Sequence, residues 1–145
     1  MSSSVQSLTR SDGWDRRLEA VASAQVTVLP EWGVSDCLLS AGEAMEAVVG
    51  IDPLKKFRGK YKTEAGAAKH MLRNGCKNVK DVFEIYLGLE PVNRFSARRG
   101  DVGVTLINDE YVAGYVCFHG FAVKQPQGTI FLPLDQIEQA YRVGA

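Results

Sequence analysis

The stretch Trp32-Gly33-Val34-Ser35-Asp36-Cys37 decides the fold, because a core helix is predicted to begin where it ends. Apolar side chains recur after it at helical spacing, and Gly50 suits the C-terminal cap of that helix. Asp36 or Ser35 can cap the first turn. The sequence therefore predicts Cys37 at the start of a helix that packs through Leu38, Ala41, Met45, Val48 and Val49.

Three more helices are predicted around this segment. Ser11 or Asp12 can cap a first helix, while Thr63 and Asn78 can cap a third and a fourth. Residues 57–61, Phe-Arg-Gly-Lys-Tyr, contain a glycine and follow a proline-bearing loop. We expect them to form a loop that packs back on the domain.

The pattern becomes strand-like after Arg98-Arg99-Gly100-Asp101. Strands are predicted at residues 102–107, 111–118, 121–124 and 129–132, with a tight turn at His119-Gly120. Asp135 can cap a short last helix containing Ile137, Ala140 and Tyr141. Helices followed by a small antiparallel sheet indicate the α+β fold class.

Composition limits the class of protein. The chain has 145 residues, which is typical of one domain, so we expect a flexible or partner-ordered tail over residues 1–11 and a single domain over 12–145. Its 17 basic and 17 acidic side chains balance, which argues against a nucleic-acid partner. No apolar run is long enough for a membrane span, and the polar start does not resemble a signal peptide, so synthesis in the cytoplasm is expected.

The three cysteines, Cys37, Cys76 and Cys117, are widely spaced and form no CxxC pair. Neither a disulfide framework nor a metal site is indicated, and no cofactor is expected. Cys76 and Cys117 lie at a helix end and inside an apolar strand, where a structural role is predicted. Cys37 has more chemical promise, because the positive end of a helix dipole favours a thiolate and lowers the thiol pKa. The alternative is that Cys37 is a small buried residue opening a core helix.

A cysteine nucleophile needs a base, and the chain offers only His70 and His119. His70 lies inside a predicted helix, where packing at a helix edge is the simpler role. His119 follows the cysteine in the chain and lies in the predicted sheet, but a turn position favours a local role. His119 is therefore a weak candidate for the base.

Several of these segments resemble known proteins. Residues 32–37 and Arg99-Gly100-Asp101-Val102 are similar to the nucleophile segment and the Gly-Asp segment of NlpC-type cell-wall peptidases, which are small papain-like cysteine hydrolases. More closely, Trp14 to Val143 resembles a small domain family from bacteriophage and prophage tail gene clusters. That resemblance rests on residues 32–37, 57–61, 98–101 and the Phe131-Leu132-Pro133-Leu134 segment.

The resemblance implies a papain-like fold with Cys37 at the nucleophile position. Trp32 and Asp36 would shape the site beside the oxyanion, and Gly33, Gly100 and Asp101 would belong to structural motifs. It does not supply a catalytic dyad, because the residues matching the histidine segment, Glu110 to Val116, contain no histidine. The position of a third, orienting residue is not fixed either, with Gln125 the one suggestion. Trp32 has a second interpretation as a core anchor.

Three functions compete. The first is a catalytically degenerate structural component of a phage-like tail tip or baseplate, located in the virion and in contact with hub, distal tail or tail fibre proteins. The second is an active cysteine peptidase or amidase that cuts peptidoglycan peptide stems, with Cys37 attacking and His119 or a partner supplying the base. The third is a tail-assembly chaperone that is absent from the finished particle.

Overall fold

The computed structural model describes Val5 and residues 8–145, in which helices precede a six-stranded antiparallel sheet. The predicted α+β order is confirmed. The helices are α1 (Trp14–Gln25), α2 (Cys37–Val49), α3 (Glu64–Arg73) and α4 (Val79–Asp81). A π-helical turn over Val82–Tyr86 continues α4.

Side-chain caps define the starts of three helices. The side chains of Asp36, Thr63 and Asn78 each accept a hydrogen bond from a backbone N–H in the first turn of α2, α3 and α4. The expected cap of α1 by Ser11 or Asp12 is wrong. Gly13 is the N-cap there, with a φ of 78°, and it has no side chain to accept a bond from the first turn.

The sheet has the order β1-β6-β2-β3-β4-β5. Its strands are β1 (Pro91–Val92), β2 (Val102–Ile107), β3 (Glu110–Cys117), β4 (Gly120–Gln125), β5 (Gly128–Leu132) and β6 (Gln139–Tyr141). The four strands expected from the sequence match β2 to β5 within one residue at each end. Sequential hairpins join β2 to β5, so this part of the sheet is a meander.

The predicted last helix is wrong. A 3-10 turn covers Leu134–Gln136, and the chain then enters β6. β6 lies between β1 and β2, pairing with both, so its backbone groups are satisfied by neighbouring strands rather than by a helix. Ala140 and Tyr141 belong to different apolar clusters, as alternation along a strand requires.

The core lies on both faces of the sheet. The larger cluster packs α1 and α2 against side chains from β2, β3 and β4, among them Ala113, Tyr115 and Cys117. The smaller cluster includes Val116, Phe121 and Ile137. Successive residues of β3 therefore serve opposite faces, and the face that carries Ala113 lies against α2.

The packed part of the chain begins before residue 12. Arg10 donates hydrogen bonds to the carbonyl oxygens of Val143 and Arg99 and pairs with Asp101 at 3.0 Å. The backbone N–H of Ala145 donates to the carbonyl oxygen of Leu8. Residues 8–11, assigned to a tail on sequence grounds, thus contact the domain, whereas residues 1–4, 6 and 7 lie outside the described part of the chain.

Within that described part, none of the helices combines the length and the apolar character that crossing a membrane requires.

Candidate functional site

Cys37 is the first residue of α2, and Asp36 organises the helix start around it. Asp36 is buried, and its carboxylate accepts hydrogen bonds from the backbone N–H groups of Leu39 and Gly33 at 3.0 and 2.9 Å. The hydroxyl of Tyr61 donates a third bond to it at 3.0 Å. With three donors, the Asp36 carboxylate is committed to holding the loop and the helix together.

Gly33 brings the Tyr61 segment against this loop. Its φ is 82°, and a Cβ at this position would lie 2.0 Å from the carbonyl oxygen of Tyr61. The backbone N–H of Gly59 donates to the carbonyl oxygen of Gly33 at 2.8 Å. Residues 57–61 therefore pack back on the domain, with Phe57 and Tyr61 buried. Only glycine fits here, both for the close approach and for the left-handed backbone.

The environment of Cys37 disfavours its thiolate. Burial raises the pKa of the Cys37 thiol to about 11, and the nearby Asp36 carboxylate adds to the rise. Hydrogen bonds from backbone groups of Ala113 and Leu38 act in the opposite direction but do not offset burial. The side chain is only partly exposed. Burial is the largest influence on this pKa, and it acts against the lowering that a helix start favours.

Cys37 lies where two cavities adjoin, and we call the two together the Cys37 cleft. One has a volume of about 340 Å³ and the other about 450 Å³. The residues that line both are Trp32, Cys37, Glu64, Glu110 and Val112. Volumes in this range suit a small ligand or a few residues of a peptide.

Trp32 stands at the edge of the cleft rather than in the core. Its side chain is 42% exposed, so the interpretation as a core anchor is wrong. An exposed indole beside a cavity can contact a ligand through its face. Trp32 and Asp36 both line the cleft, but Trp32 faces solvent, whereas Asp36 is buried and hydrogen-bonded.

Lys124, which no sequence motif singled out, lines the cleft together with Gln125. The Lys124 ammonium is buried and donates to the carbonyl oxygens of Gln25 and Val28, both at 2.6 Å. Burial lowers the pKa of Lys124. The sequence feature that could have identified Lys124 is its position at the end of the apolar strand segment 121–124. A charge buried in such a segment needs a hydrogen-bond partner nearby. At the C-terminal end of α1, the carbonyl oxygens provide that partner.

His119 lies away from Cys37. It is exposed in the turn between β3 and β4, with its ring centroid 5.2 Å from that of Phe118 and 5.4 Å from that of Phe131. It lines a different cavity, of about 640 Å³, between this turn and α1. The backbone of Ala113 hydrogen-bonds to the Cys37 thiol, whereas His119 lies beyond Cys117, which is about 13 Å further along the strand.

The turn itself differs from the sequence expectation. Cys117 pairs with Gly120, so Phe118 and His119 form the turn and Gly120 opens β4. Gly120 has the positive φ, and His119 does not need the left-handed conformation. Because it lines a different cavity from Cys37, His119 is not placed to act as its base.

His70 is engaged by the domain as well. A ring nitrogen, Nε2, lies 2.9 Å from the carbonyl oxygen of Lys56. The ring packs edge-on against Phe57, with centroids 4.8 Å apart. His70 therefore fastens α3 to the loop before it, and it lines neither cavity of the Cys37 cleft.

The Gly-Asp segment has a structural role. Asp101 is fully buried and accepts hydrogen bonds from the backbone N–H groups of Arg98 and Val143 at 2.8 and 3.0 Å. Gly100, with a φ of 94°, donates its N–H to the carbonyl oxygen of Val116. The segment thus connects the entry of β2 to β3 and to the C-terminal end of the chain, outside the Cys37 cleft.

The other two cysteines are buried, free thiols. Burial raises the pKa of Cys76 and of Cys117. Across the part of the chain that the structure describes, no group of three or more His, Cys, Asp or Glu side chains is placed to hold a metal ion.

Comparison with known proteins gives one match. A family model described as a domain of unknown function (DUF6950) matches residues 9–143. No curated protein and no solved structure matches the chain.

Proposed function

The chain belongs to the DUF6950 family, and we propose that it is a catalytically inactive papain-like domain that serves as a structural component of a phage-like tail tip or baseplate. The observation that carries the loss of catalysis is the state of Cys37. Its sulfur sits at a helix start, but burial raises the pKa of the thiol to about 11, and neither histidine of the chain lines its cleft.

The other ionisable groups of the cleft do not replace a histidine. Lys124 is a hydrogen-bond donor to two carbonyl oxygens, and Asp36 is occupied by three donors. Glu64 and Glu110 line the cleft, and both are exposed to solvent. No described side chain hydrogen-bonds to the Cys37 sulfur. General base assistance typically contributes about 10² to 10⁴ in rate, so its loss favours a non-catalytic role.

The roles of the motif residues support an assembly function. Gly33, Asp36 and Tyr61 hold the loop before α2, while Gly100 and Asp101 hold the entry of β2. The segments on which the resemblance to phage tail-cluster domains rests therefore maintain a scaffold. A scaffold of this kind suits a protein that binds hub, distal tail or tail fibre partners in the virion.

Thiol reactivity and hydrolysis test the inactive state. We expect Cys37 to react with iodoacetamide at pH 8 about 100-fold more slowly than glutathione, because a thiol with a pKa near 11 is almost entirely protonated there. Mass spectrometry of digested protein separates Cys37 from Cys76 and Cys117. The wild type and Cys37→Ser are both expected to leave muropeptides intact. Cleavage by the wild type that disappears in Cys37→Ser would establish the peptidase instead.

The tail assignment needs a separate experiment. Quantitative mass spectrometry of purified particles is expected to find the protein at a fixed copy number. Its presence during assembly and absence from finished particles would instead indicate the chaperone function.

A further inference from the structure

The Cys37 cleft has an apolar lining that is open to solvent. Its two cavities meet at Cys37 and together run from the turn before α2 to the start of α4. Half-buried and buried apolar side chains from α3, α4 and β3 form the floor, namely Ala67, Met71, Val79 and Val112. Such a groove offers apolar contacts to an extended chain segment.

An acidic rim borders this floor. It consists of Glu64 at the start of α3 and of Asp109 and Glu110 at the turn between β2 and β3. All three side chains are exposed, and none takes part in a salt bridge among the described residues. Lys77 is the one exposed basic residue that lines the same cavity. Three carboxylates thus face one lysine in this cavity, so its border carries a net negative charge.

Trp32 adds an aromatic surface on the same border. Its indole is 42% exposed and lines both cavities, as do Glu64 and Glu110. The face of an indole attracts ammonium and guanidinium groups. The carboxylates and the aromatic face therefore both favour a positively charged ligand.

We propose that the Cys37 cleft binds an extended segment of a partner protein in which lysine or arginine side chains alternate with apolar ones. The apolar side chains pack on the floor, and the basic side chains meet the acidic rim and Trp32. This inference rests on the proposed non-catalytic function and extends it by giving the chemistry of the bound segment. The electrostatic contribution acts at the surface, so binding weakens as salt is added.

Fluorescence anisotropy with synthetic peptides tests the proposal. The probe is a short labelled peptide of lysine, valine and glycine, compared with peptides of the same length in which glutamate or glutamine replaces each lysine. We expect the lysine peptide to bind and the glutamate peptide not to bind. The double variant Glu64→Gln, Glu110→Gln should weaken binding about three- to tenfold, since each exposed charge contributes modestly. The matched control, Glu46→Gln with Glu138→Gln, neutralises two exposed acids elsewhere and should bind like the wild type.

Tryptophan emission locates the bound peptide. We expect a change in emission on binding that Trp32→Phe abolishes, because Trp14 packs against Arg10 away from the cleft. Equal affinity for the lysine and glutamate peptides, equal weakening by the control pair, or no binding of the lysine peptide would each overturn the proposal. Mass spectrometry after incubation distinguishes the proposed inactive state from the proposed peptide binding. Cleavage of the bound peptide would refute the inactive state, but it would not contradict binding in the Cys37 cleft.

Discussion

At the scale of single residues, Asp36 does more for this molecule than Cys37. The cysteine is a half-buried free thiol, whereas the carboxylate of Asp36 accepts hydrogen bonds from the start of α2, from Gly33 and from the Tyr61 hydroxyl. Removing the carboxylate would leave the N–H of Gly33 and the hydroxyl of Tyr61 buried without an acceptor. Unpaired buried polar groups are costly.

Asp36→Ala is therefore expected to lower the free energy of unfolding by about 3 kcal/mol, which combines a lost cap with two unsatisfied donors. Thr63→Ala is the matched control, because Thr63 caps α3 through one exposed bond to the N–H of Gly66. Its expected cost is about 1 kcal/mol. Urea denaturation measures both variants, and equal losses would show that the buried network around Asp36 adds nothing to an ordinary cap.

At the scale of elements, the first two hairpin turns of the sheet differ in which residues adopt a positive φ. Asn108 and Asp109, between β2 and β3, have φ angles of 53° and 63°, the left-handed pair that twists with the strands. In the turn of Phe118 and His119, between β3 and β4, neither turn residue has a positive φ. Gly120, the first residue of β4, has it instead. Asp109 of the first turn and Glu110, which opens β3, supply two carboxylates of the acidic rim, so local backbone geometry helps to shape the cleft.

Substitutions in the two turns should have opposite outcomes. Asp109→Gly is expected to cost nothing, whereas Asp109→Val should lower the free energy of unfolding by about 1–2 kcal/mol, because a β-branched side chain resists a left-handed backbone. His119→Gly is the control and should cost about 0.5–1 kcal/mol through added freedom of the unfolded chain. Thermal and urea unfolding test this, and tolerance of valine at position 109 would contradict the turn geometry.

At the scale of the whole molecule, ion pairs to the buried Asp101 close the domain, with Arg10 at 3.0 Å and Arg142 at 3.8 Å. The Arg10 guanidinium, next to the described N-terminal end, pairs with the buried Asp101 carboxylate, which also accepts from the N–H of Val143 near the C-terminal end. Arg10 further donates to the carbonyl oxygens of Arg99 and Val143 and lies over the Trp14 ring. The start of the domain, its end and the entry of β2 meet at this pair.

A double-mutant cycle measures that closure. Asp101→Ala is expected to lower the free energy of unfolding by about 3–5 kcal/mol, because it leaves the Arg10 charge in a largely buried site. Combined with Arg10→Met, the coupling energy should be about 1–3 kcal/mol. The more exposed pair of Asp52 and Arg58 serves as control, with an expected coupling of at most about 1 kcal/mol. A coupling for Arg10 and Asp101 no larger than the control would show that the N-terminal segment is not needed to close the domain.

Local patterns were sufficient for the fold class and for most elements. The caps by Asp36, Thr63 and Asn78 and the alternation in β2 to β5 are properties of neighbouring residues, so they could be read directly. The short strands β1 and β6 could not. A two- or three-residue strand has too little periodicity to differ from a helical turn, and only its pairing partners make it a strand.

The sequence by itself determined that a cysteine opens helix α2 and that residues 110–116 contain no histidine. The tertiary structure alone decided the chemistry of that cysteine, because desolvation and the position of Asp36 depend on residues brought together from distant parts of the chain. It also brought Trp32, Glu64 and Glu110 to one border, which no linear pattern encodes. Local propensity acts between neighbours, whereas burial and charge depend on the complete packing.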